Sequence, residues 1–142
     1  MPEKYIKKIL TSRVYEVAHE TPLDYAPMLS RRLHNHVWLK REDEQPVFSF
    51  KCRGAYNKMA GLSAAELKKG VVAASAGNHA QGVALAGYRL SAPTIIVMPR
   101  TTPQIKVDAV RSFGGKVVLH GDNYDAAYAH AREIANKRKL TF

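Results

Sequence analysis

From residue 63 onward, short unbroken apolar runs alternate with segments whose apolar residues recur every three or four positions. Ser63-Ala64-Ala65-Glu66 has the spacing of a capping box, so a short helix is expected to start there and to end at Lys68, Lys69 and Gly70. VVAAS (71–75) reads as a buried strand, and the small-residue turn SAGN opens a helix through HAQGVALAGYRL (79–90). TIIVM (94–98) is a second strand, rich in β-branched residues and stopped by Pro99. Thr102-Pro103 predicts an N-cap and a first-turn proline for a helix through QIKVDAVRSF, ended by Gly114-Gly115. KVVLH (116–120) is a third strand. In YDAAYAHAREIANKRK, a long amphipathic helix, Ala126, Ala127, Ala129, Ala131, Ile134 and Ala135 offer a small-residue packing face, and the final LTF reads as the start of a fourth strand.

Strands and helices in strict alternation, joined by short connections, argue an α/β fold: an open parallel sheet with right-handed crossovers and helices on both faces, in three complete βα units. The first sixty residues differ. They read as a short helix (3–10), an irregular segment with Thr21-Pro22-Leu23, a helix near 24–33 and a polar-flanked strand, HVWLKRE (36–42). No linker or internal repeat separates them from the rest. They form an α+β lead-in (1–60), expected to expose apolar surface and to pack on a larger domain. Residues 61–142 make a smaller α/β domain.

Composition changes the picture little. A chain of 142 residues with 46% hydrophobic residues can bury one core. No run of eighteen apolar residues occurs, and MPEKYIKKIL is too charged for a secretory signal, so the expected location is the cytoplasm. The single cysteine, Cys52, excludes an intramolecular disulfide framework and any multi-cysteine metal site, and reads as a buried packing thiol. The formal charge of +10 would suit nucleic acid, but the basic residues are scattered and lack interleaved aromatics, so a small anionic ligand is favoured.

Two stretches carry candidate chemistry. In Ser75-Ala76-Gly77-Asn78-His79-Ala80-Gln81-Gly82, small residues at the end of a strand let backbone N–H groups approach an anion, and the following helix N-terminus favours it. A helix-capping turn with no ligand is the alternative reading of the same residues. The spacing is not G-x-G-x-x-G, and no G-x-x-x-x-G-K-[ST] loop occurs, so neither a dinucleotide nor a hydrolysed nucleotide is supported. No metal site is expected: His34 and His36, two apart at the head of a strand, read as ordinary surface histidines, and His120 and His130 lack a cysteine or carboxylate at ligand spacing. The other stretch is VFSFKCRGAY (47–56), which sets Lys51 behind two aromatics at the mouth of a helix. An apolar wall from Phe48 and Phe50, the neighbouring Arg53 and the helix N-terminus would all disfavour the ammonium, leaving a nucleophilic amine. A surface lysine is the plain alternative.

These motifs, in order and spacing, carry a resemblance. T-P-L (21–23), L-K-R-E-D (39–43), Q-P-V-F-S-F-K-C-R-G-A-Y (45–56), A-S-A-G-N-H-A-Q-G-V-A (74–84), V-M-P (97–99) and K-V-D-A-V-R-S-F-G-G (106–115) resemble the threonine dehydratases, pyridoxal-phosphate enzymes of the tryptophan-synthase-β fold type. The wording looks closest to the biosynthetic enzyme; the catabolic one and serine racemase share the core motifs.

The resemblance implies that Lys51 holds pyridoxal phosphate as a Schiff base with Phe50 beside the ring. It further implies that Asn78 donates to the ring hydroxyl oxygen and that Ser75, Ala76, Gly77, Asn78 and His79 take the substrate carboxylate. The implied reaction is α,β-elimination of water from L-threonine, or L-serine, giving 2-oxobutanoate (or pyruvate) and ammonia, a lyase step opening isoleucine biosynthesis, in a homo-oligomer. In that family a glycine-rich phosphate loop and a residue facing the pyridine nitrogen lie beyond position 142, so weak or no catalysis is expected of this chain alone. A non-catalytic fragment or binding module of the same fold remains open.

Overall fold

The computed structural model describes residues 2–142. Three strands, β3 (Val71–Ala74), β4 (Thr94–Met98) and β5 (Lys116–Leu119), form a parallel sheet in that order, with Val71 opposite Thr94 and Ile95 opposite Lys116. On the free side of β3 the chain end adds a single bridge: Val72 N–H donates to Thr141 O at 2.9 Å and Thr141 N–H to Gly70 O at 3.2 Å. The fourth strand is thus begun at one residue. It lies beside β3, which places β3 inside the order rather than at its edge.

Strand side chains alternate between the faces, and each face has its own core. Val71, Ile96 and Met98 pack with α3 (Lys51–Ala60), α5 (Asn78–Arg89) and α6 (Gln104–Ser112). Val72, Ala74, Ile95 and Val97 pack on the other side against Ala127, Ala131 and Ala135 of α7 (Tyr124–Arg138). Helices therefore cover both faces, as the alternation predicts. The α7 stripe is narrower than expected: Ala127, Ala131 and Ala135, at steps of four, are buried, whereas Ala129 faces solvent.

Local signals explain most boundaries. α4 (Ala64–Lys69) carries the complete capping box: Glu66 N–H donates to Ser63 Oγ at 3.3 Å and Ser63 N–H to Glu66 Oε2 at 2.8 Å. At α6 the expected threonine cap is not made. Pro103 itself stands at the N-cap, and the Thr102 hydroxyl donates back to Pro99 O at 2.7 Å, which closes the preceding turn. Gly70 takes φ +101°, and a Cβ there would sit 2.5 Å from Pro93 O, so only glycine lets α4 turn directly into β3.

The lead-in departs most from expectation. It opens with α1 (Pro2–Leu10), as expected, but the segment foreseen as one helix near 24–33 divides into β1 (Leu23–Tyr25) and α2 (Pro27–Leu33). Pro27 starts the helix at its first position, and the residues before it pair antiparallel with β2 (Trp38–Lys40), a shorter strand than foreseen. This two-stranded sheet does not join the parallel one. Tyr5, Ile6, Ile9 and Leu10 of α1, Met28 and Leu33 of α2, and Leu23, Trp38 and Leu39 of the hairpin are all exposed. By contrast α3 lends Cys52, Ala55, Tyr56 and Met59 to the core of the α/β unit. Among the described residues no helix is long and apolar enough to cross a membrane.

Candidate functional site

Lys51 is the first residue of α3, entered through a turn that the sequence disguises. Phe48 adopts φ +54°, a left-handed conformation uncommon for a bulky residue, and its N–H donates to Gln45 O at 2.7 Å. Gln45 fixes that turn from inside. Only 1% exposed, it accepts from His19 N–H and donates to His19 O, both at 2.9 Å. Arg53, two residues past Lys51, donates twice to Glu42, at 2.8 and 2.9 Å. Arg53 beside Glu42 holds that carboxyl at about 2, well below its ordinary 4.5, with the Thr21 hydroxyl adding to the effect. Thr21, Glu42, Gln45 and Arg53 all lie within the quoted motifs, yet their chemistry gives no hint that they pair with one another.

The surroundings of Lys51 differ from the expected apolar wall. The lysine is exposed, its amine stands 5.0 Å from the centre of the Phe50 ring, and Phe48 points largely into solvent. The positive charge of Arg53, expected to push on Lys51, is taken up by Glu42. Among the described residues Lys51 makes no ion pair, so its amine is uncommitted. Cys52, next in sequence, is turned fully inward with Sγ 3.6 Å from Ser49 O, and burial raises its thiol pKa. It is a packing thiol.

The second stretch lies at the carboxyl end of β3, where ligands of parallel sheets sit. Ser75 N–H extends the ladder to Val97 O at 3.1 Å, and Ser75 Oγ accepts from Gly77 N–H at 3.3 Å. Gly77 is the N-cap of α5 and offers no side-chain cap, so the first amides of the helix, at Asn78 and His79, have no side-chain acceptor and are of the kind that takes an anion. Asn78 and His79 are exposed. The His79 pKa is lowered, chiefly by burial of part of the ring and then by the charge of Lys51. The ring lines a largely apolar cavity of about 150 Å³ with Gly54, Met59, Val83 and Phe142. α3 packs along α5 and the charge of Lys51 acts on His79, which brings the start of α3 to the Ser75–His79 turn although 24 positions separate Lys51 from Ser75.

The histidines differ in part from expectation. His34 is the left-handed cap of α2, not a strand residue. His130 does find a carboxylate, Glu133 at 3.0 Å one turn along α7, and its ring stacks on His120 at 4.0 Å. No group of three or more His, Cys, Asp or Glu among the described residues is arranged to hold a metal ion.

An uncommitted amine over an aromatic ring, an amide side chain and an open helix N-terminus at one end of the sheet form a donor set that suits an aldehyde cofactor and a carboxylate substrate. Gly114-Gly115 precede β5 and so lie at the opposite end of the sheet, away from Lys51. The family model for pyridoxal-phosphate dependent enzymes matches residues 14–142. The chain belongs to this family. It is 60% identical over 141 residues to the biosynthetic L-threonine dehydratase of Burkholderia multivorans, covering 97% of this chain and 28% of that protein. It is 58% identical over 139 residues to the chloroplastic biosynthetic threonine dehydratase 1 of Solanum lycopersicum, covering 98% and 23%. Among solved structures, the processed form of threonine deaminase isoform 2 from Solanum lycopersicum superposes with a TM-score of 0.92 at 59% identity, covering 98% of this chain and 38% of that one. Maize serine racemase does so with a TM-score of 0.88 at 27% identity, covering 98% and 42%. The chain thus spans about a quarter of the length of the curated relatives it matches.

Proposed function

We propose that this chain carries the lysine side of the active site of a biosynthetic threonine dehydratase, a lyase that converts L-threonine to 2-oxobutanoate and ammonia and L-serine to pyruvate and ammonia. The observation that carries the reading is the packing of α3, which begins at Lys51, against α5, whose N-terminus has no side-chain cap, in a chain similar to threonine dehydratases along nearly its whole length. Pyridoxal phosphate, when bound, supplies an electron sink for the substrate's α-carbon. Lys51 Nζ is the amine that would hold the cofactor by its aldehyde carbon and the base that would take the proton from the substrate Cα. Phe50 would pack beside the ring, Asn78 would donate to the ring hydroxyl oxygen, and the Ser75–His79 turn would hold the substrate carboxylate at the positive end of α5.

In this reading residues 1–60 belong with a larger cofactor-holding domain and 61–142 form the smaller one. The exposed apolar residues of α1, α2 and the hairpin support a missing partner layer, and a homo-oligomeric assembly in the cytoplasm is the expected setting. Without a phosphate anchor, turnover by this chain alone is expected to be weak, because an unanchored cofactor loses its fixed orientation. The test is to incubate the chain with pyridoxal phosphate, reduce with borohydride and map the modified peptide, with Lys51→Ala as control. Stoichiometric label on Lys51 that vanishes in the variant is expected. Label spread over many lysines, unchanged in the variant, would sink the assignment.

A further inference from the structure

The glycine that closes the second motif, Gly82, is not at the anion-binding turn. It lies inside α5, more than one turn past the N-cap, and is buried. A Cβ built on it would stand 2.8 Å from the Lys51 carbonyl oxygen, 2.9 Å from the Lys51 carbonyl carbon and 3.2 Å from Cys52 N. The atoms it meets are backbone, which cannot swing aside as the end of a side chain does. The helices are packed this closely because their facing residues are small: Ala80 and Ala84 of α5 share a core with Cys52 and Ala55 of α3.

We infer that Gly82 is a positioning residue for Lys51: α5 presses its bare backbone on the first turn of α3 and thereby sets where the lysine starts relative to the Ser75–His79 turn. This rests on Lys51 being the cofactor lysine. The turn and Gly82 belong to one helix, so one rigid element both presents the amides that take a carboxylate and sets the origin of the amine that must reach the same substrate. Any side chain at 82 pushes the Lys51 carbonyl away. Restoring a contact of 3.4 Å requires a shift of roughly 0.6 Å at the root of the reactive side chain, from the 2.8 Å separation.

Gly87, on the same helix, supplies the control. A Cβ there would meet Thr94 Oγ1 at 1.9 Å, so Gly87→Ala also overpacks α5, but against the sheet and away from Lys51. The experiment compares the wild-type chain, Gly82→Ala and Gly87→Ala by the rate of borohydride trapping of pyridoxal phosphate on Lys51, per folded molecule, and by amide NMR signals without cofactor. Gly82→Ala is expected to slow trapping on Lys51 by about tenfold to a hundredfold and to shift the amides of Lys51–Gly54, while Gly87→Ala lowers stability but leaves both readouts unchanged. Wild-type trapping by Gly82→Ala with unmoved amides would overturn the inference. Label on other lysines in the wild type would instead sink the role of Lys51, and the positional claim would then stand or fall on the amide signals alone. If Gly82→Ala does not fold, hydrogen exchange of the wild type decides: α3 first-turn amides opening together with those of Val83–Ala86 support it, and independent opening of the α3 turn refutes it.

Discussion

Replacing Glu42 by glutamine keeps the shape of the side chain but removes the charge that ties the start of α3 to the segment before it. The carboxylate accepts two bonds from Arg53, at 2.8 and 2.9 Å, and one from the Thr21 hydroxyl at 3.1 Å, with its side chain 17% exposed. Its pKa falls from 4.5 to about 2 on folding, a gap worth at most about 3–4 kcal/mol. Partial solvation of both partners reduces this to roughly 1–2 kcal/mol. A carboxyl whose folded pKa is depressed stabilises above its unfolded value and loses that contribution as pH falls toward the folded value. The contribution is therefore complete above about pH 5 and gone near pH 2. Urea unfolding of wild type and Glu42→Gln across pH 2–7 is the assay. The variant is expected to be less stable by roughly 1–2 kcal/mol at pH 7, and the two curves are expected to converge as pH drops. Glu16, held at about 2 by Arg13 and Tyr56, titrates in the same window, so only the difference between the curves reports on Glu42. Curves that stay parallel from pH 5 to pH 2 would refute the assignment.

Further outcomes follow from the same geometry. Cys52 is expected to react with a thiol reagent only through unfolding, so its labelling rate should rise with urea in step with loss of structure; rapid native labelling would contradict its burial. Gly70→Ala should cost about 2 kcal/mol or more in urea unfolding, through the positive φ and the clash with Pro93; an unchanged midpoint would count against that turn. By NMR titration, His79 is expected to titrate below 6.5, and Lys51→Ala should raise its pKa without restoring the full value, since burial is the larger cause; no response to the substitution would mean the two side chains are not neighbours. Light scattering is expected to show self-association that weakens when Ile9 and Leu10 are changed to serine, because α1 buries none of its residues; an unaffected monomer would show that the helix packs elsewhere.

The α/β half of this protein is legible in one dimension because each signal there is local. β-branched runs mark the strands, Ser63 and Glu66 set a helix start through atoms three residues apart, and the run of alanines marks the packing side of α7, although burial narrows it to Ala127, Ala131 and Ala135. The resemblance read from Lys51 and the Ser75–Gly82 motif is likewise a property of the sequence, because short motifs keep residue identity and order. The lead-in was harder. β1 exists only because Trp38–Lys40 lies beside it, and a three-residue strand carries too few positions for a period to show. What only the tertiary structure decided are the distances that turn motifs into a site. They include the cancelling of Arg53 by Glu42, the clamp of Gln45 on His19, the exposed rather than walled amine of Lys51, and the pressing of Gly82 against the Lys51 backbone. Each depends on contact between residues far apart in the chain, and such contacts are made by packing, for which sequence order holds no local signal.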